Sequence, residues 1–250
     1  MPFPARPGAR VGEQDPMIRS NRLIREILGR RPQLLEYADV QHVEIGDILY
    51  EPGDDVVHTY FPLECCVVSF MLLMQDGRAA DAATIGREGA VGGVVSSGHK
   101  PAFAQAVVLS GGPLLRLPTA RLEEAKADHR RLDDLFARYA DALLAQVLQS
   151  VGCNALHGLE ARCARWLLAM QDRVGGAQLQ LTQETLSQML GVQRTSLVRV
   201  VAALRAAGMI DYRRGKLEIL DRTRLEQISC ECYEAVRRHY DKVLPEANLE

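Results

Sequence analysis

The sequence lacks long apolar segments. No run reaches the roughly 18 apolar residues of a membrane-spanning helix, so we predict no transmembrane segment. Residues 1–16 contain prolines, glycines and arginines but no apolar stretch like that of a signal peptide, and they are expected to form a disordered leader. In the absence of a secretion signal, the six cysteines are expected to be reduced thiols in a cytoplasmic protein.

The sequence also lacks the motifs of common catalytic chemistry. It contains no His-x-His pair, no Gly-x-Ser-x-Gly motif and no phosphate-binding loop. An enzyme built on a metal-binding jelly roll would need histidines and a carboxylate that converge on one ion with an open coordination position. We therefore expect no enzyme activity and no catalytic residues.

The cysteines are not spaced as in a zinc finger or a thioredoxin-type redox motif. Cys65 and Cys66 are adjacent, Cys230 and Cys232 alternate, and no Cys-x-x-Cys occurs. Adjacent or alternate cysteines alone cannot complete a tetrahedral metal site. We therefore expect structural cysteines, no metal ligands and no cofactor, with a redox role for either pair as the alternative.

Positive charge is concentrated in one part of the chain, although the whole chain has a net charge of -2. Residues 182–216 contain two acidic residues and six basic ones, which leaves the remainder of the chain acidic. The basic residues are Arg194, Arg199, Arg205, Arg213, Arg214 and Lys216. A basic patch on a mildly acidic protein favours specific DNA binding over general coating of nucleic acid.

Residues 181–200 have the pattern of two short helices joined by a tight turn. Thr182 is suited to cap the first helix, and Gly191 is suited to end it in a left-handed conformation. Apolar residues at helical spacing allow the two helices to share a small core; they are Leu186, Leu190, Val192, Leu197 and Val200. This pattern is typical of a DNA-reading helix-turn-helix, with an ordinary pair of packed helices as the alternative.

Around this motif the sequence predicts an α+β protein. Residues 17–37 predict a short amphipathic helix, and residues 38–118 contain short β-rich runs separated by turns, as in an antiparallel β-roll or jelly roll. Residues 119–152 predict one long helix that is apolar on two sides, which favours dimerisation across a two-fold axis. The alternative is a helix wedged between two domains of a monomer.

The last part of the chain predicts a winged DNA-binding domain over residues 153–250. A helix is expected over residues 155–173, and the second helix of the helix-turn-helix should extend to about Ala207 before Gly208. Residues 210–220 predict a two-stranded wing that turns at Arg214 and Gly215, followed by one terminal helix.

The stretch from Leu181 to Tyr233 contains Leu-Gly-Val followed by Arg194, then a wing ending in Arg-Gly-Lys, and then Ile-Leu-Asp. With these motifs it resembles the DNA-binding domain of Crp/Fnr-type bacterial transcription regulators. The order of elements extends the resemblance to about residues 18–240, with a sensor domain like the cyclic-nucleotide-binding β-roll at residues 17–118. The resemblance implies double-stranded DNA, a second copy of the chain and an unidentified small effector as partners, with RNA polymerase as a further candidate.

The β-roll departs from the cyclic-nucleotide-binding members of that family. Where their cassette has Gly-Glu-Leu-Gly, this chain has Gly89-Ala90-Val91-Gly92, so Ala90 replaces the ribose-binding glutamate. The phosphate-binding arginine would fall near Ala102, but no arginine occurs between Ala90 and Leu115. A buried cyclic phosphate needs such a donor, so we expect no cyclic AMP binding of the usual kind. The first 64 residues also lack the cysteines of the oxygen-sensing branch.

The predicted DNA-binding residues lie on the helix-turn-helix and the wing. They are Thr182, Gln183, Gln193, Arg194, Thr195, Ser196, Arg199, Arg213, Arg214 and Lys216. Arg194, at the start of the second helix, is the first candidate for a bidentate contact to guanine. Better-known family members have a glutamate after this arginine, whereas this chain has Thr195, which predicts a different DNA sequence. The alternative for the wing residues is a solvated hairpin tip.

Overall fold

The computed structural model describes residues 12, 14–94 and 98–244, so most of the leader predicted for residues 1–16 lies outside the described residues. The segment predicted as one helix over residues 17–37 consists of helix α1 (Arg22–Leu28) between two 3-10 helices, Ile18–Ser20 and Pro32–Tyr37. The Asn21 side chain accepts hydrogen bonds from two backbone amides in the first turn of α1, which fixes where that helix begins.

The next part of the chain is the β-roll. Its strands are β1 (Asp39–Val43), β2 (Ile48–Tyr50), β3 (His58–Pro62), β4 (Val67–Leu73), β5 (Ala79–Ile85), β6 (Gln105–Ser110) and β7 (Gly112–Pro118). They form two antiparallel sheets, with strand orders β1-β7-β3 and β2-β6-β4-β5. Buried residues of both sheets form one core cluster that includes Val43, Val68 and Leu114. The predicted β-roll is confirmed.

The long helix predicted over residues 119–152 is two helices, so this prediction was wrong in detail. Helix α2 spans Thr119–Asp128 and helix α3 spans Arg130–Leu156. His129 separates them because its backbone is extended, with φ -138° and ψ 93°. Helix α2 packs on the β-roll, where Leu122 is buried, and the Lys126 amine donates to the backbone carbonyl of Val94. Tertiary packing therefore interrupts a helical pattern that appears continuous in the sequence.

The remaining elements form a winged helix-turn-helix. They are α4 (Leu159–Val174), β8 (Gln178–Gln180), α5 (Gln183–Met189), α6 (Arg194–Ala206), β9 (Ile210–Arg213), β10 (Lys216–Ile219), α7 (Arg222–Ile228) and α8 (Cys232–Val243). Strand β8 was not predicted; it pairs with β10 and makes the wing a three-stranded sheet.

Two further helix boundaries differ from the prediction. Helix α4 begins at Leu159 rather than near residue 155, because α3 continues to Leu156 and the backbone then becomes extended at His157. The single terminal helix is divided into α7 and α8 by an extended backbone at Ser229.

The winged domain packs directly against the β-roll. Val67, Met71 and Leu109 of the β-roll lie in the same buried cluster as Trp166 of α4. An ion pair between Arg173 Nε of α4 and Glu88 Oε1 of the β-roll, 2.7 Å apart, joins the two domains. No helix among the described residues is long and apolar enough to span a bilayer.

Candidate DNA-binding surface

The helix-turn-helix begins with a conventional cap. Thr182 Oγ1 accepts a hydrogen bond of 3.0 Å from the backbone amide of Thr185 and so caps α5. Gly191 adopts a left-handed φ of 62°, which allows the chain to turn from α5 towards α6. Ser187 is buried, and its hydroxyl donates to the Glu184 carbonyl at 2.8 Å. The second helix can therefore approach the first closely without an unsatisfied hydroxyl.

Helix α6 has one buried and one exposed face. Leu197, Val201 and Leu204 are buried against the domain core. The N-terminal end of the helix exposes Arg194, Thr195, Ser196 and Arg199, and Gln193 is the exposed N-cap residue. The polar side chains predicted for DNA reading thus share one end of one helix, where a recognition helix meets base edges.

The exposed end of α6 also carries two features that sequence reasoning missed. Val198 is 40% exposed between the polar side chains. An apolar group at this place suits contact with a thymine methyl. Arg194 Nη1 lies 3.9 Å from Glu184 Oε2 of α5. DNA would compete with this weak, exposed ion pair for the guanidinium.

The wing has a tight turn with an exposed basic tip. Arg214 and Gly215 both have positive φ, 50° and 78°, as a two-residue hairpin turn requires. Asp211 binds Arg213 at 2.8 Å, so that guanidinium is partly engaged within the domain. Arg214 and Lys216 are exposed and form no ion pair in the described part of the chain. They are the wing residues most available to phosphates.

Helix α3 exposes an apolar stripe. Leu144, Leu148 and Val151 are 55%, 63% and 64% exposed, and their spacing places them on one side of the helix. The opposite side is fully buried at Phe136 and Tyr139. Helix α3 is therefore apolar on two sides, as expected from its sequence, and the described residues leave one of those sides largely uncovered.

The cassette position in the β-roll is closed by α3. Tyr139 is fully buried and its hydroxyl donates to the Ala90 carbonyl at 2.7 Å. A Cβ atom at Gly89 would lie 2.6 Å from Tyr139 Cε2, so the ring packs directly on this glycine. Burial raises the pKa of the Tyr139 phenol well above its ordinary value, which keeps the phenol a neutral donor.

The cysteines fall into two groups besides Cys163. Cys66 is fully buried in the β-roll, and burial raises the pKa of its thiol. Cys65 is half-buried and its Sγ donates to the Gly111 carbonyl at 3.4 Å. Cys230 and Cys232 form a small buried cluster with Cys153 of α3, an association that the sequence did not predict.

Comparison with known proteins finds similarity to bacterial regulators. Residues 161–228 match the Crp-like helix-turn-helix domain. The global nitrogen regulator of Nostoc sp. (strain PCC 7120) is 24% identical over 190 residues, which cover 72% of this chain and 84% of that protein.

Two solved structures share the fold over most of the chain. FixK2 from Bradyrhizobium japonicum has a TM-score of 0.66 at 17% identity and covers 77% of this chain and 98% of its own. A CRP-family transcriptional regulator from Thermus thermophilus, TTHB099, has a TM-score of 0.64 at 20% identity and covers 76% of this chain and 96% of its own.

These structures share the two-domain architecture of this chain, a β-roll connected by a long helix to a winged helix-turn-helix. The chain has the fold of those Crp/Fnr regulators, and its residues 161–228 match the Crp-like helix-turn-helix domain. The resemblance seen in the sequence is thereby confirmed.

Proposed function

We propose that the protein binds a pseudo-palindromic DNA site as a homodimer and regulates transcription there. The observation that carries this proposal is the exposed polar end of α6, where Arg194, Thr195, Ser196 and Arg199 stand clear of the domain core. A two-fold dimer would set two such helices about 34 Å apart, one duplex turn, in successive major grooves.

The apolar stripe of α3 supports a dimer. Exposed leucines and a valine in line on a long helix are typical of a face that a second copy covers. A two-fold axis along this stripe would pair α3 with its own copy, as an isologous interface requires.

The roles of the DNA-binding residues follow from their positions. Arg194 starts α6 and is proposed to form a bidentate contact with a guanine, while Arg199, more than one turn further along, reads a second base or binds a phosphate. Gln193, Thr195 and Ser196 would bond to bases or phosphates. Thr182 and Gln183 at the start of α5, and Arg213, Arg214 and Lys216 on the wing, are proposed to hold the DNA backbone.

The test is selection of bound DNA from a random pool, followed by affinity measurements on the selected site. Arg194→Ala should weaken specific binding by ~1–3 kcal/mol and relax the preference at one base pair in each half-site. Arg214→Ala should weaken binding to all sequences and reduce the salt dependence. The matched control is Arg238→Ala, because Arg238 is an exposed arginine on α8. This variant should change neither the affinity for DNA nor its salt dependence. Equal loss on specific and random DNA for Arg194→Ala would contradict base reading.

We further propose that the β-roll does not respond to cyclic AMP. The methyl side chain of Ala90 cannot form a hydrogen bond with a ribose hydroxyl. The backbone carbonyl of Ala90 already accepts a hydrogen bond from the Tyr139 hydroxyl. Arg116, the first arginine after the cassette, is engaged by Asp39 through two hydrogen bonds of 3.0 and 3.1 Å. That guanidinium is therefore not free to offset the desolvation of a phosphate at the cassette.

The redox alternative is not favoured at Cys66, which is fully buried. A buried thiol whose pKa is raised, as at Cys66, holds little thiolate, and thiolate is the form that reacts.

A further inference from the structure

Four side chains from two distant parts of the chain meet at the junction of α3 and α8. Cys153 and His157 lie in the last turn of α3 and just beyond it, and Cys230 and Cys232 lie just before and at the start of α8. One ligand atom from each of the four residues lies within 4.8 Å of every other. The three thiols are buried and the imidazole is half-buried.

The individual distances suit one small ion. Cys153 Sγ lies 3.5 Å from Cys230 Sγ, and Cys232 Sγ lies 3.4 Å from His157 Nδ1. Zinc bonds to sulfur at about 2.3 Å and to nitrogen at about 2.0 Å, so tetrahedral ligands stand roughly 3.5–3.8 Å apart. An iron–sulfur cluster holds its cysteines further apart because they bind different irons. The cluster therefore matches a mononuclear tetrahedral site.

Groups around the four ligands supply the expected outer contacts. His157 Nε2 faces Glu231 Oε1 at 3.2 Å, which directs Nδ1 towards the thiols, as a carboxylate does for many metal-bound histidines. Gln149 Nε2 donates to Cys232 Sγ at 3.0 Å, a contact that favours a thiolate. Arg165 lies close enough to Cys153 to stabilise its thiolate, and its buried Nε has no hydrogen-bond partner among the described residues.

We propose that Cys153, His157, Cys230 and Cys232 form a tetrahedral Zn²⁺ site that joins α3 to α8. The ligand set of three cysteines and one histidine is complete, so no coordination position remains open and the site is structural. Three thiols lose their protons on binding while neutral His157 binds through Nδ1, and the occupied site carries one net negative charge. Cys232 also lines a cavity of about 620 Å³.

The site would connect the two functional halves of the protein. Helix α3 carries the apolar stripe, and α8 belongs to the winged domain. A metal between them would hold the winged domain in one position on the long helix, and its removal would loosen that junction. This inference depends on the four ligands and their neighbours, not on the DNA-binding proposal.

The first test is the metal content of the full chain, purified without chelator and dialysed against a weak one. We expect about one zinc per chain, with no acid-labile sulfide. Cys230→Ser and His157→Ala should lose the zinc, while Cys65→Ser should keep it. Glu231→Gln, a change at a positioning residue, should weaken zinc affinity by about 10- to 100-fold without abolishing binding.

A second test avoids variants that fail to fold. In the unaltered protein, zinc should protect Cys153, Cys230 and Cys232 from alkylation until a strong chelator is added, while labelling of Cys65 stays the same. Co²⁺ added to the metal-free chain should give the visible bands of a tetrahedral thiolate site. Iron with sulfide, a Cys153–Cys230 disulfide, or a metal-free chain that binds neither ion would overturn the proposal, as would full zinc retention in Cys230→Ser.

Discussion

The apolar stripe of α3 gives a quantitative prediction for Leu148→Ala. Leu148 is 63% exposed in the single chain, so a dimer that covers the stripe would bury most of its side chain. Complete burial of a leucine is worth ~1.5–3 kcal/mol, and burial of the exposed part about 1–2 kcal/mol. Because each residue occurs twice at a two-fold interface, the variant should lose ~2–4 kcal/mol per dimer.

That loss corresponds to an increase of about 30- to 1,000-fold in the dimer dissociation constant. Sedimentation equilibrium over a range of protein concentrations measures this constant directly. Leu73→Ala is the matched control, because Leu73 is 50% exposed at the end of β4, away from α3. Circular dichroism should show that both variants keep their helices.

The reasoning would be refuted in either of two ways. The unaltered chain could sediment as a monomer at micromolar concentration, or Leu148→Ala could associate as tightly as Leu73→Ala. In the first case, either a different partner or no partner covers the apolar stripe of α3. In the second, the dimer uses a different surface.

Two further predictions concern the β-roll. Titration calorimetry with cyclic AMP should detect no binding at micromolar concentrations, and a micromolar or tighter constant would show that other donors replace the missing arginine. Gly89→Ala should lower the free energy of unfolding by ~1–3 kcal/mol, because the new methyl group would overlap the Tyr139 ring. Gly176→Ala, at a glycine with nothing within 4 Å and no positive φ, is its control in thermal unfolding. Equal melting temperatures for the two variants would mean that α3 can move away from Gly89 and accommodate the methyl group without loss of stability.

Local signals were sufficient to predict most of the winged domain. A cap at Thr182, a left-handed glycine at 191 and a hairpin turn at Arg214 and Gly215 each depend on neighbours within a few residues. The structure confirms all three features. Strand β8 was missed because three residues are too few to show the alternation of apolar and polar side chains that predicts a strand. Its pairing with β10 is a contact between segments that are distant in the sequence.

The break at His129 shows the limit of helical periodicity. Leu122 of α2 is buried against the β-roll, and the extended backbone at His129 ends α2 before α3 begins. Helical periodicity shows which face of a segment is apolar. It does not show where contacts with another part of the protein interrupt the helix.

The sequence by itself determined the fold class and the resemblance of the winged domain to Crp-like helix-turn-helix domains. The order of β-rich and helical segments, the basic helix-turn-helix and the absent phosphate-binding arginine are all properties of neighbouring residues. Only the tertiary structure decided that Tyr139 covers the cassette and that Cys153 meets Cys230, which is 77 residues away. Cys230 and Cys232 alone did not predict a metal site, because such a site is defined by distances in space. Two of the four ligands that we propose, Cys153 and His157, lie at the end of α3.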